Sequence, residues 1–399
     1  MIFEDWPTLA RTLLVAPLAY LALLVVVRGT AHPTRHDAGD GDYVPMRIAV
    51  LMGGTNLDRD TSMVSGWQVA QALREAGHET IAIDSTRPVP RPGDADFVDL
   101  GEVDEVPPVR VKPPSAADLE AVRRRQGGHV LAPGVLEVCA AADCVFIALF
   151  GDEGEGGRAQ AVLEYAGVPH TGPDLLGCAV SFDKDVAKQL AAAGGVATAE
   201  WQILARGDDD LAPLYPLLPA VVKPVEGGSS IGASVARSAE ELDIAVSTAH
   251  ATGEDALVER LLPGREFTVG VLRGKTLPVV ELEADRDLID YESKYQPGLT
   301  TKRCPADLTA EEADALTGAA VTAHERLKLG PQTCSRMDFR MDRDGHCAFL
   351  ECNPLPGMTP SSFLPVAAEA AGISFPALCD DIVALAVTPT SRHETARQA

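Results

Sequence analysis

The sequence predicts an α/β unit built on a parallel sheet, followed by a mixed α+β region. Three observations carry this. Short apolar runs end in glycine turns and lead into segments of helical spacing, the alternation of a sheet wound with helices. The first two glycine turns fall at the carboxyl ends of those runs, where ligands sit in open α/β sheets. From Phe182 onward the pattern changes to short strand pairs separated by longer helices.

Taken in order, Arg47–Met52 reads as a buried strand entering Gly53-Gly54. Residues 61–75 place Val64, Trp67, Val69 and Leu73 at helical spacing, and 79–83 read as a second strand. Residues 89–111 are rich in proline and acid without a period, so they read as loop and irregular strand. A helix over 116–125, a strand over 145–149 and a helix over 159–166 complete the first region. Beyond it the expectation is helix 183–193, strand 220–223, helix 239–251, strands 256–259 and 266–272, and a long helix 310–327. Residues 335–341 and 347–352 form a hairpin about Arg343-Asp344-Gly345, and the tail from Thr388 is polar.

A chain of 399 residues suffices for two or three domains with sizeable cores. Its 46% hydrophobic and 23% charged residues place it among globular proteins. A formal charge of −24 excludes a phosphate-backbone ligand, so no nucleic-acid partner is expected. Any anion must then be held by local lysines, arginines and helix N-termini. The eight cysteines show no CxxC pair or zinc-site spacing and read as reduced thiols of a cytosolic protein.

Residues 13–27 contain no charge and lie between Arg11 and Arg28. The run is shorter than the roughly 20 residues of a spanning helix. Glu4 and Asp5 and the lack of a clean cleavage site argue against a secretory signal. If 9–28 insert, Arg28 and Arg35 on the flank hold the chain on the cytoplasmic side. A translation start at Met46 is the alternative, and both stay open. Residues 30–45 read as a linker.

Three constellations carry chemistry. In R336-M-D-F-R-M-D-R-D-G-H-C-A-F-L-E-C-N353, strand alternation puts Arg336, Asp338 and Arg340 on one face, and Glu351 and Asn353 on one face of the partner. A register bringing Asp338 opposite Glu351 and Asn353 gathers three oxygen donors, a set suited to Mg²⁺ that completes its shell with phosphate oxygens and water. The turn that follows, Pro-Leu-Pro-Gly-Met-Thr, can aim amides at an anion. An exposed acidic face is the competing reading. The loop V222-K-P-V-E-G-G-S-S-I-G232 offers free N–H and O–H donors that can fold over phosphates, although it lacks the Walker order. A plain Gly/Ser turn competes with it. Lys184 in S181-F-D-K184 opens a helix, and Glu259 ends a strand shortly before Glu266.

In their order (SFDK, VVKP…EGGSSIG, LVERLLPGREFTV, DYESKY, RMDF, LECNPLPGMT) these motifs resemble the D-alanine–D-alanine ligases of the ATP-grasp superfamily, over about residues 46–386. The resemblance implies an N-terminal Rossmann-like domain over 46–178, a central ATP-grasp lobe over 179–259 and a C-terminal lobe over 260–388. It implies ATP and two Mg²⁺ ions, Mn²⁺ being an alternative, and small amino-acid substrates, D-alanine foremost, in a cytoplasmic homodimer. By resemblance Lys184, Lys223 and Lys294 meet the nucleotide phosphates, and the loop residues Glu226, Gly228, Ser229 and Ser230 belong to the nucleotide-binding set. Glu259 and Leu262 serve the adenine, Glu266 the ribose, and Asp338, Glu351 and Asn353 the metals. Arg336 and the Gly357 amide match the groups that stabilise the oxyanion, and Arg336 and Ser362 those that hold the second substrate's carboxylate.

Asp58 stands where the family has Glu to meet the first substrate's ammonium, with Ser229 and Tyr295 as its partners. Tyr295 resembles the ligases that join two amino acids rather than those using a hydroxy acid. The family's His-Gly-x-x-Gly-Glu-Asp-Gly, with Gln three residues on, reads here Phe150-Gly151-Asp152-Glu153-Gly154-Glu155-Gly156-Gly157 with Gln160. Glu155 and Gln160 match, while Phe150 and Gly156 depart. Phenylalanine supplies neither a hydrogen bond nor a proton. A related ligase for other amino acids, and a nucleotide-binding homologue without ligase activity, are therefore the alternatives.

Overall fold

The computed structural model describes residues 44–93, 97–100, 103, 109–110, 112–283 and 300–388. The apolar run 13–27, the tail beyond 388, Lys294 and Tyr295 lie outside them. Among the described residues, no single helix is long and apolar enough to cross a membrane.

Among the described residues, three sheets make the frame. In the first, β1 (Arg47–Met52) lies between β2 (Glu79–Asp84) and β3 (Cys144–Ile147), parallel to both. The RIAVLM strand is apolar on both faces because both are covered, the pattern of a buried parallel strand. One face packs on helix Arg59–Glu75 through Val69 and Leu73, the other on helices Val135–Ala141 and Arg158–Ala166 through Val138 and Leu163.

The second sheet is antiparallel, β4 (Trp201–Leu204), β7 (Ala256–Arg260), β5 (Ala220–Pro224) and β6 (Ser234–Ala236) in spatial order, with helix Ala239–His250 packed on it. The third runs β11 (Thr301–Arg303), β10 (Val280–Glu283), β8 (Arg265–Leu272), β12 (Cys334–Met341) and β13 (Cys347–Asn353), with β9 (Lys275–Thr276) beside β8. Its inner face buries Phe267, Phe339 and Phe349 against Leu316 and Ala320 of helix Ala310–Arg326. That helix starts at a capping box in which Thr309 and Glu312 satisfy each other's backbone N–H.

The predicted elements form, most with boundaries displaced by one or two residues. Helix 61–75 begins at Arg59, and the strand expected over 145–149 is Cys144–Ile147, so Ala148–Phe150 already belongs to the loop. Sequence periodicity gave no account of β4 or of helices Val135–Ala141, Leu175–Phe182, Phe363–Ala370 and Phe375–Val387. The last two are apolar on most sides. They pack Leu364, Leu378, Ile382 and Val383 into the core that also holds Ile48, Val50 and Val69, so the end of the described chain closes over the first sheet.

That packing predicts a cost for emptying it. Leu378 is fully buried, and Leu378→Ala should destabilise the chain by about 2–5 kcal/mol in urea unfolding. A loss below about 1 kcal/mol would mean the helix is not docked as described.

Candidate active site

The site is built where loops from all three sheets meet. Helix Lys184–Ala193 is started by Asp183, whose carboxylate accepts the Val186 N–H at 2.9 Å. Lys184 and Lys188 follow one turn apart and share a face. Lys184 reaches across to the glycine loop and donates to the Gly227 carbonyl at 2.6 Å. Lys188, fully buried, lies 2.8 Å from Glu259, which on its other oxygen meets Lys223, also at 2.8 Å. Trp201 completes the enclosure, the Lys188 ammonium lying 4.9 Å from its ring centroid.

Burial alone would raise the Glu259 carboxyl, but the two lysines outweigh it and hold the pKa below the usual carboxylate value. Burial first, then repulsion by Lys223, lowers Lys188. Lys223 is raised, since Glu259 and Glu351 overcome its desolvation. The strand end therefore presents a fixed, ionised acceptor. Lys188 was not singled out in the sequence, although its spacing from Lys184 was a signal.

Beside them opens a cleft of ≈ 880 Å³, solvent at its mouth included, with Lys184, Lys223, Gly228, Ser230, Glu259, Leu262, Glu266, Asp338 and Glu351 on its walls. Glu266 on β8 faces Arg340 on β12, and their side chains meet at 2.9 Å. A smaller adjoining space of ≈ 340 Å³ is bounded by Lys184, Ser229, Arg336, Glu351 and Asn353.

The β12–β13 register sets Asp338 opposite Glu351 and Arg336 opposite Asn353, with a bulge just after Asp338. Arg336 grips Asp338 through two hydrogen bonds of 2.9 and 2.8 Å, and its guanidinium carbon lies 5.3 Å from the Phe363 ring centroid. The Asn353 side-chain oxygen Oδ1 is buried without a hydrogen-bond partner. An orphaned acceptor beside two carboxylates fits a cation, and each Asp338 oxygen keeps a lone pair beyond the arginine.

Above these strands the loop after β5 turns through Gly227 at φ 120°, then Ser229 and Ser230 at φ 53° and 56°. Non-glycine residues there cost of order 1–3 kcal/mol each, which surrounding contacts must offset. Ser229 donates to Asp58 Oδ1 at 2.5 Å. Asp58 follows the Gly53-Gly54 turn of the first sheet and is 5% exposed. Glu155, equally buried, accepts the Gly151 N–H at 2.7 Å. Burial, then Asp58, pushes its carboxyl up to about 8.

The remaining sequence candidates sit at the margins. Phe150 is buried and its carbonyl accepts from Asn56 at 2.7 Å. Ser362 precedes helix Phe363–Ala370, and a Cβ on Gly357 would lie 3.1 Å from its hydroxyl oxygen. Glu226 is not among the cleft-lining residues. Burial, then Glu254, Asp152 and Asp183, raises its pKa.

A carboxyl raised on folding from its ordinary 4.5 stabilises the fold fully below that value, and the contribution is lost as pH rises towards 8. Glu155→Gln should therefore flatten the fall in stability between pH 5 and 8, read by urea midpoints. An unchanged slope would contradict the placement.

Comparison with known proteins agrees on one family. The profile described as D-ala D-ala ligase N-terminus matches residues 47–173, and that described as D-ala D-ala ligase C-terminus matches 190–384. A D-alanine–D-alanine ligase of Acidiphilium cryptum is 36% identical over 335 residues, 84% of this chain and 96% of its own. That of Pediococcus pentosaceus is 34% identical, over 85% of this chain and 97% of its own. Among solved structures, the D-alanine–D-alanine ligase of Bacillus anthracis aligns with a TM-score of 0.67 at 27% identity, covering 88% of this chain and 99% of that one. The VanG D-Ala:D-Ser ligase of Enterococcus faecalis aligns at 0.65 and 27%, over 86% and 99%.

Proposed function

The chain belongs to the D-alanine–D-alanine ligase family, and on that premise we propose how its cleft joins two D-alanines with ATP, supplying the dipeptide of peptidoglycan synthesis. The observation that carries the reading is a cleft walled by the lysine-flanked carboxylate Glu259, adjoined by a smaller space lined by Ser229, the partner of Asp58.

ATP lies in the larger cleft. Glu259 and the Leu262 backbone take the adenine, Glu266 the ribose, and Lys184, Lys223 and the glycine loop the phosphates. Lys294 and Tyr295 are assigned to the phosphate end and the loop closure by resemblance alone. Asp338, Glu351 and Asn353 would hold two Mg²⁺ ions. Bound there, the cations neutralise charge that builds on the transferring phosphoryl group.

The first D-alanine places its ammonium against Asp58. One of its carboxylate oxygens attacks the γ-phosphorus, giving an acyl phosphate and ADP. The second D-alanine, its carboxylate held by Arg336 and Ser362, attacks the acyl carbon as a free amine. The tetrahedral oxyanion meets Arg336 and the Gly357 amide, preorganised donors worth about 10²–10³ in rate each. Collapse forms the amide bond and releases phosphate, and the amine's proton leaves to solvent. The loop spanning Ser229 excludes water that would otherwise hydrolyse the acyl phosphate.

The domain division at 46–178, 179–259 and 260–388, a homodimer and a cytoplasmic site belong to the same reading. All eight cysteines are free thiols, in keeping with a reducing compartment.

Phe150 favours a second reading, in which the same chemistry acts on a different pair, since that side chain cannot donate to a substrate. With ATP, Mg²⁺ and single or paired amino acids, D-alanine alone should release one phosphate per dipeptide detected by mass. Turnover only with another pair, such as D-alanine with D-serine, would overturn the substrate assignment. Tight ATP binding without turnover would make the chain a nucleotide-binding homologue. Phe150→His should hold or raise kcat, by at most about 10²–10³-fold. A fall would show that the phenylalanine serves this site better than a donor.

A further inference from the structure

The turn that carries Asp58 is fixed by a carboxylate from the neighbouring loop. Glu153 lies after β3 at a position the family pattern leaves open, and it is 8% exposed. One of its oxygens accepts the Thr55 N–H at 2.8 Å and also the Thr55 hydroxyl. The other accepts from the Asn56 side-chain amide. Asn56 spends its second amide hydrogen on the Phe150 carbonyl, and its own oxygen accepts the Asp58 N–H at 2.9 Å. The amide's donors and acceptor are thus all engaged, which fixes its orientation.

We propose that Glu153 is a positioning residue that sets Asp58, through Asn56, for the ammonium of the first amino acid. The inference rests on the reading above, in which Asp58 meets that ammonium. A carboxylate is needed because every group facing it donates. An ionised carboxylate only accepts, whereas a glutamine would put an NH₂ against either Thr55 or Asn56. The contact is close-fitting on the glycine side too. A Cβ on Gly151, at φ 69°, would lie 2.6 Å from Asn56, and one on Gly54 would lie 3.2 Å from the Asn56 amide nitrogen. The Gly53 and Gly54 N–H groups are taken up by Ser62 and Ser85 at 2.8 and 3.1 Å, and the Gly54 and Thr55 carbonyls by Arg59 and Arg123 at 2.9 and 3.1 Å, so the backbone before Asn56 is held while Glu153 fixes the Asn56 side chain. Neither residue lines the nucleotide cleft, so ATP binding should not feel the change.

The test uses the full chain and steady-state kinetics with D-alanine and ATP varied separately. The two D-alanine KM values are fitted, and the first-site value is identified as the one Asp58→Asn raises. Glu153→Gln should raise that KM about tenfold while kcat and the KM for ATP stay within about twofold. Asn56→Ala should do the same, as a second variant should Glu153→Gln fold poorly. The double variant should cost no more than the larger single change, because both act along one path. Unchanged first-site KM in both variants would overturn the proposal, as would a common fall in kcat and in affinity for every substrate. If Asp58→Asn itself raises neither D-alanine KM, the ammonium assignment fails, a result distinguishable from failure of Glu153 alone.

Discussion

The hydrogen bond from Ser229 to Asp58 joins residues 171 positions apart and is the contact on which the site's assembly depends. It ties the loop above the nucleotide cleft to the turn that follows the first strand. It is a direct side-chain tie between the loop after β5 and the first sheet, added to the core that the first and third sheets share. Two consecutive serines in left-handed geometry are strained, and the strain persists because the loop is held at both ends. Lys184 grips it at Gly227 and Asp58 grips it at Ser229.

The electrostatics follow the same economy. A chain of net charge −24 gathers Lys184, Lys188, Lys223, Arg336 and Arg340 about one cleft. Lys188 and Lys223 are paired with Glu259, Arg336 with Asp338 and Arg340 with Glu266. Removing one member of such a group is costly, since the partner is left uncompensated in a low-dielectric setting. The pairing also fixes roles. Glu259 is kept ionised, whereas Glu155, facing Asp58 without a direct cation, is pushed towards its neutral form.

Much of this was legible in the sequence because strand alternation has a strict period. The faces expected for Arg336, Asp338, Glu351 and Asn353 follow from it, and the register places Asp338 opposite Glu351. The glycine loop announced itself by composition, and the order of motifs identified the family. What escaped had physical reasons. Helices such as Phe375–Val387 are buried on most sides and show no amphipathic period. Glu153 and Asn56 find each other across 97 positions, and no local pattern encodes such a pair. Lys188 meets Glu259 across 71 positions, a pairing that no local pattern marks.

The central claim is that the first amino acid's carboxylate takes the γ-phosphoryl group before the second amine attacks. Oxygen tracing tests it most directly. With D-alanine labelled at both carboxylate oxygens with ¹⁸O, each released phosphate should carry one ¹⁸O, because the oxygen that attacked phosphorus leaves with it. Phosphate free of label, formed while the dipeptide accumulates, would contradict the account.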